Sequence, residues 1–193
     1  MLCNVWDVYA AMRNFARKDM KIRSAIPDDI PALLAIYAPY VEQTAVTFEY
    51  DVPTPEEFLR RMKTFTPKYP YIVAEDEKSG RILGYAYAHA FHEREAYRYT
   101  VETTVYVDMQ CRRSGAGRML YEALEKELLA RGFKNMTANI SYIEKEDEYL
   151  THDSVHFHRR MGFTPAAHFH KCGYKFDRWY GIVWMEKFIG KDD

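Results

Sequence analysis

A carboxylate and a basic, glycine-bearing turn lie close together in this chain. Glu102 sits within Val101-Glu102-Thr103-Thr104-Val105-Tyr106-Val107, and Arg112-Arg113-Ser114-Gly115-Ala116-Gly117 follows. The first stretch alternates β-branched and aromatic residues, the pattern of a strand. After the turn, Met119, Leu120, Ala123, Leu124, Leu128 and Leu129 recur at helical spacing. Strand, basic turn and helix together form an anion cradle, because free backbone N–H groups at a helix start favour phosphate. Arg112, Arg113 and Arg118 add positive charge to it. A carboxylate beside such a cradle points to group transfer from a nucleotide carrier. Taken alone, the turn reads equally as an ordinary helix start with surface arginines. No Gly-Lys-Ser/Thr follows, so it is not a P-loop, and Leu120 occupies the third-glycine position of the dinucleotide fingerprint.

The elements that must position these groups can be read from hydrophobic periodicity. Met20 to Arg23 predicts a strand, and Asp28 or Asp29 is the expected cap of a helix whose apolar face uses Ile30, Leu33, Leu34, Ile36 and Tyr37. Pro39 is expected to disturb its end. A loop carries Thr44 to Val52. Thr54-Pro55-Glu56-Glu57 is a strong helix start: hydroxyl cap, proline, then acids. Tyr71–Glu75 and Arg81–Ala90 predict a hairpin around Lys78-Ser79-Gly80. Strand 100–107, helix 115–131 closed by Gly132, and strand Met136–Ile140 follow. Glu144 to Glu148 is expected to be a solvated acidic loop. Asp153 or Thr151 should cap a helix through Met161, stopped by Gly162, and strands near 163–171 and 179–188 close the chain. This order predicts an α+β domain with a mixed, largely antiparallel sheet. Residues 1–19, with a rough stripe of Val5, Val8, Met12 and Phe15, read as an extension before a domain over 20–190.

Bulk properties exclude several classes. The chain has 193 residues, enough for one domain with a real core, and 48% hydrophobic with 28% charged residues fits a soluble globular protein. A net charge of −1 argues against nucleic-acid binding and makes any phosphate site local. No apolar run approaches the roughly 20 residues of a membrane span. Charged residues from Asp7 to Asp19 interrupt the first twenty positions, so no signal peptide is expected. Cys3, Cys111 and Cys172 are scattered, as reduced thiols of a cytoplasmic protein would be. His156 and His158, two apart on a helix, diverge and cannot share a metal; His168 and His170 could share a strand face but lack a third ligand, so no metal is expected.

Several motifs together resemble a known family. Val105-Tyr106-Val107 followed by Arg112-x-x-Gly115-x-Gly117 is similar to the acetyl-CoA motif of the GNAT N-acetyltransferases. Arg94-x-Ala96-Tyr97-x-x-Thr100 to Val107 resembles the phosphinothricin and methionine sulfoximine acetyltransferase group. So do Thr47-Phe48-Glu49, Ser154-x-x-x-His158-x-x-x-Gly162-Phe163 and Gly173-Tyr174-Lys175-Phe176-x-x-Trp179. The similarity runs from about Ile22 to Lys187. It implies a three-layer fold with about seven strands, the central pair splayed. The backbone of Val105, Tyr106 and Val107 would pair with pantetheine amides. Arg112, Arg113, Ser114, Gly115, Ala116, Gly117 and Arg118 would wrap the pyrophosphate of acetyl-CoA, with Thr151, Ser154 and His158 also at the cofactor. Glu102 would be the general base, acting through a water. Phe48, Arg94, Tyr97, Thr104 and Tyr174 would form the site for a small acidic amine, Arg94 offering a planar fork for a carboxylate or phosphinate. His92 occupies a position usually basic in the group. A homodimer is also implied.

Without the family, Glu102 could be a paired surface carboxylate, Arg94 a loop arginine in water, and Phe48 simple core. The sequence departs from the group in two places: Thr151 stands where many members have an asparagine, and 143–150 looks like an insertion at the pocket rim. The implied reaction is acetyl transfer to the α-amino group of a small amino acid or analogue. The competing readings are another acceptor (a polyamine, an aminoglycoside or a protein N-terminus) or an acyl-CoA-binding module without catalysis.

Overall fold

The computed structural model describes residues 19–191. The expected extension, with Val5, Val8, Met12 and Phe15, and Cys3 lie outside the described residues apart from Asp19. The strands are β1 (Met20–Ser24), β2 (Tyr71–Asp76), β3 (Ile82–Ala90), β4 (Thr100–Val107), β5 (Asn135–Tyr142), β6 (Thr164–Lys175) and β7 (Arg178–Phe188). The helices are α1 (Ile30–Gln43), α2 (Pro55–Phe65), α3 (Ala116–Ala130) and α4 (Asp153–Arg160). All seven strands join one sheet in the order β1-β2-β3-β4-β5-β7-β6. Within it, β4 and β5 run parallel and every other neighbouring pair is antiparallel.

The pleat sorts the core into two layers. Tyr71, Val73 and Tyr85 point to the face covered by α1 and α2, where they meet Leu33, Ile36, Tyr37, Phe58 and Met62. Ile72, Ala74, Ala86, Ala88 and Val101 point to the other face, against Leu120, Tyr121, Leu124 and Leu128 of α3. A smaller cluster of Ala45, Leu150 and Tyr180, with Phe48, Ile143 and Tyr149 packed against it, closes one end.

Three local expectations are corrected. Asp29 does not cap α1 with its side chain. Its carboxylate accepts from the Ile26 N–H at 2.8 Å and from Arg23 at 2.7 and 2.8 Å, fastening β1 to the helix start. Pro39 does not end α1, which continues to Gln43. Tyr37, Tyr40 and Val41 on either side are buried, and that packing offsets the hydrogen bond the proline removes. His152, not Thr151 or Asp153, is the N-cap of α4, and it makes no side-chain cap bond. The acidic run is the exposed loop expected, except at Asp147, which is partly buried. Asp147 accepts from the N–H groups of Tyr149 and Leu150, and Asp147 and Glu148 hold Arg178 at 3.0 and 2.8 Å. The segment therefore folds back on the start of β7, and Leu150 is buried with Ala45 and Tyr180.

Thr54 caps α2 as expected, accepting from the Glu57 N–H at 3.2 Å. Cys111 and Cys172 are unpaired. Among the described residues no helix is long and apolar enough to cross a membrane. His168 and His170 do share a face, with ring centroids 4.1 Å apart. Among the described residues they belong to no group of three or more metal-ligating side chains.

Candidate active site

The parallel ladder between β4 and β5 is short. It pairs Thr100 with Asn135, Val101 with Met136 and Glu102 with Thr137, and then stops, although β4 runs on to Val107 and β5 to Tyr142. The strands therefore splay just past Glu102. Hydrogen bonding alternates along a strand. Asp108 N–H bonds back to Leu83, and Tyr106 pairs with Tyr85, so Tyr106 directs its backbone to β3. Val105 and Val107 consequently direct theirs to the open side. The Val107 carbonyl is taken by the Tyr40 hydroxyl at 2.7 Å; the Val105 amide and carbonyl and the Val107 N–H face the gap. The Tyr106 ring packs on Tyr37 and Tyr40 at 4.9 and 5.0 Å, in the α1 layer.

The cradle itself starts beyond β4. Gly115 is the N-cap of α3 with φ 97°, a left-handed conformation that favours glycine, and Arg113 has φ 65°. These two positive φ values fold the turn so that the first N–H groups of α3 point outward. Ser114 Oγ accepts from Ala116 N–H at 3.3 Å, while Gly117 and Arg118 N–H have no acceptor among the described residues. Ala116 is buried under the turn, so only its backbone belongs to the cradle. A Cβ on Gly117 would meet Val107 at 3.4 Å and Phe157 at 3.5 Å, ordinary contact distances, so the helix start lies close to the end of β4 without requiring glycine there. Arg112 and Arg113 are exposed, the Arg112 guanidinium lying 5.6 Å from the Tyr40 ring centre. Arg118 reaches Glu122 at 2.6 Å. The cradle and the open β4 edge are continuous. Together they suit an extended ligand with a phosphorylated end and amides farther along.

On the α1–α2 face, Glu102 and Thr104 project beside Tyr87 and His89 of β3, their direct partners in register. Glu102 has 21% of its side chain exposed. Burial pushes its carboxyl up, and the imidazoles of His89 and His92 pull it part of the way back. Thr104 lies directly opposite Tyr87. The loop after β3 carries His92, Arg94 and Tyr97. Phe91 is its anchor, edge-on to Trp184 of β7 at 5.5 Å and to Tyr97 at 5.7 Å. Arg94 is exposed and its guanidinium has no hydrogen-bond or ion-pair partner among the described residues.

Phe48 and Tyr174 approach from the other end. A Cβ on Gly173 would come within 2.2 Å of the Phe48 ring, so glycine is required where the Phe48 loop crosses β6. That loop is fixed by Lys175, which is 3% exposed. Its ammonium donates to the carbonyls of Val41 at 2.7 Å and of Thr44 and Thr47 at 2.9 Å. Tyr174, partly exposed, stacks edge-on to Trp179 at 5.1 Å, and its carbonyl accepts from the Tyr50 hydroxyl.

Near the α4 start, Thr151 is exposed and Ser154 half-buried. His158 is 4% exposed. Its Nδ1–H donates to the Ser154 carbonyl at 2.8 Å, and Nε2 accepts from the Tyr121 hydroxyl at 2.7 Å. Burial pulls it down to about 4, so it is neutral. Both ring nitrogens are engaged within the protein, and the side chain ties α4 to α3 beneath the cradle.

Sequence reasoning missed two residues. His89 became visible only through the β3–β4 register, and Lys175 acts across more than a hundred positions of chain. Strand alternation could have placed His89 on the Glu102 face had the length of the 91–99 loop fixed the pairing.

Residues 22–184 match the family model described as "Acetyltransferase (GNAT) domain". The chain is 35% identical over 174 residues to the phosphinothricin N-acetyltransferase of Streptomyces viridochromogenes, covering 89% of this chain and 90% of that protein. It is 34% identical to the L-methionine sulfoximine/L-methionine sulfone acetyltransferase of Pseudomonas paraeruginosa, with 86% and 92% covered. The crystal structure of a phosphinothricin acetyltransferase from Sinorhizobium meliloti in complex with AcCoA superposes with a TM-score of 0.80 at 32% identity, covering 89% of each chain.

Proposed function

The chain belongs to the GNAT acetyltransferase family, and on that premise we propose that it moves an acetyl group from acetyl-CoA to the α-amino group of a small amino acid or analogue of the phosphinothricin, methionine sulfoximine or methionine sulfone type. The observation that carries this reading is Glu102 at the last ladder pair, where β4 turns from sheet pairing to an open edge that leads into the cradle.

Acetyl-CoA supplies an activated thioester carbonyl. The open amides of Val105 and Val107 suit its pantetheine arm, and the Gly117 and Arg118 N–H groups with Arg112 and Arg113 suit its pyrophosphate. Thr151 and Ser154 lie at the start of α4, on the far side of that path. The amine arrives as an ammonium and must lose a proton before it attacks. Glu102, through a water, takes that proton; the nitrogen–carbonyl bond forms, the carbon–sulfur bond breaks, and the departing thiolate is protonated. Burial raises the carboxyl, which brings its basicity closer to that of a useful neutral-pH base.

Arg94 and Tyr97 would hold the acidic end of the acceptor, with Phe48, Thr104 and Tyr174 around it. A cationic pocket residue disfavours polyamines and aminoglycosides. Purified protein should release CoA thiol from acetyl-CoA with methionine sulfone, methionine sulfoximine or phosphinothricin; turnover on cationic amines alone would overturn the substrate assignment, and CoA binding without turnover on any amine would overturn the enzyme assignment. Arg94→Ala should raise KM for the acidic acceptor about ten-fold or more with little change in kcat, the loss of one charge-assisted anchor. An unchanged KM would remove Arg94 from the site. We also infer a homodimer, supported by the exposed aromatic residues Phe169, Tyr174 and Trp179 on the last two strands. Light scattering at micromolar concentration should return twice the chain mass; a monomer would refute it.

A further inference from the structure

His89 has no part in the reaction as derived so far, yet it faces the group that does. In the β3–β4 register it lies directly opposite Glu102, which puts both side chains on one face of the sheet. Its Nε2 is 3.9 Å from Glu102 Oε2. Its Nδ1 is 3.0 Å from the carbonyl oxygen of Ala90. A carbonyl only accepts, so the ring hydrogen belongs on Nδ1 and the neutral imidazole turns its Nε2 lone pair toward the carboxylate. That separation is too long for a direct hydrogen bond, and a water between the two acceptors would satisfy both. The ring is held in this orientation by stacking on Phe65 at 5.2 Å and by Tyr87 at 6.1 Å. With 26% of its side chain exposed, it borders both the carboxylate and solvent.

From this geometry we propose that His89 and Glu102 exchange a proton through a bridging water, and that His89 is the exit through which the proton taken from the substrate amine reaches solvent. The proposal rests on the reading of Glu102 as general base. The proton balance is simple. The ammonium N–H bond breaks, and the proton passes by water to Glu102. The carboxylic acid then passes it through the bridging water to His89 Nε2, and the imidazolium releases it to solvent, leaving both groups ready for the next acceptor. The other titratable groups facing the pair are the His92 imidazole on the following loop and the Tyr87 phenol on β3. Arg61 and Glu49, from α2 and the Phe48 loop, act on Tyr87. The imidazole also draws the Glu102 carboxyl down against its burial, as a cation sharing the site would.

The test compares His89→Phe, which keeps the stack on Phe65, with wild type in acetyl-CoA turnover on methionine sulfone. Its kcat/KM should fall about five-fold or more near pH 6 and less than about two-fold near pH 9, where solvent base accepts the proton, and free imidazole should restore most of the loss near pH 6. A loss that is equal at every pH and insensitive to imidazole would mean a packing role and overturn the proposal, as would wild-type rates throughout. Should His89→Phe fold poorly, by thermal unfolding, His89→Gln carries the same comparison. Glu102→Gln is measured in parallel. If it keeps the wild-type rate, the general-base reading falls and the proposal with it; if it is slow while His89→Phe matches wild type at all pH values, only the role of His89 falls.

Discussion

Glu102→Gln is expected to cut turnover by about 100-fold or more at neutral pH, the usual contribution of a positioned general base. The amide keeps the volume and the half-buried place of the carboxylate at the end of the β4–β5 ladder, so loss of the base is isolated from loss of shape. Stability should move the other way. Burial raises this carboxyl in the folded protein, so between its unfolded and folded values the folded state binds the proton more readily. Stability contributed by the group is therefore present below the unfolded value and lost as pH rises through the folded one. At neutral pH the charged group costs the fold something that glutamine does not. Thermal unfolding of the variant at neutral pH should equal or exceed that of wild type, while stopped or continuous thiol-release assays show the rate loss. The pH profile follows the same logic: wild-type kcat/KM should fall as pH drops through the raised carboxyl value, and that acid limb should vanish from the residual rate of Glu102→Gln. A variant that retains the wild-type rate would remove Glu102 as the base.

Lys175→Met should produce the largest loss of stability among the changes considered. Methionine fills a similar space but leaves the Val41, Thr44 and Thr47 carbonyls without their shared donor. Hydrogen bonds to a charged donor are worth about 1.5–3 kcal/mol, and a buried acceptor left unpaired costs about 1–3 kcal/mol. A net destabilisation of roughly 2–4 kcal/mol corresponds to a fall in Tm of about 5–15 °C for a chain of this size. The three carbonyls end α1 and begin the loop that carries Phe48. The same substitution should therefore raise KM for the acceptor amine more than KM for acetyl-CoA, for which we propose the path along β4 and α3. Calorimetry and paired Michaelis curves would show both effects. An unchanged Tm would mean that water replaces the ammonium at those carbonyls without cost.

Much of this was legible in the sequence because it is local. The alternation of Val101 to Val107 identified β4 and split its residues between two faces. Arg112 to Gly117 identified the cradle, and Thr54 to Glu57 identified a helix start. What escaped depends on contacts between distant segments. No periodicity within α1 shows that Pro39 is tolerated, because the compensation comes from the sheet that Tyr37, Tyr40 and Val41 bury against. Asp147 looks like solvated charge until Arg178 and Tyr180 are brought to it. Glu102 was visible as a candidate base, but the imidazole beside it needed the register across a long loop. His158 was visible as a motif residue, and its neutrality follows only from burial against Tyr121.

The early end of the β4–β5 ladder has a mechanical consequence. The sheet is two antiparallel halves, β1 to β4 and β5 to β6, joined by three residue pairs. Beyond that join the central edge carries unspent backbone groups, as the border of a sheet does. A co-substrate laid along Val105 and Val107 would act as a removable strand, closing a seam that protein alone leaves open. Cohesion between the halves would then rise when the co-substrate seats and fall when its spent form departs, by about 2.7 kcal/mol at a concentration one hundred times Kd. The molecule would be stiffest while loaded and loosest at the moment it exchanges one carrier for the next.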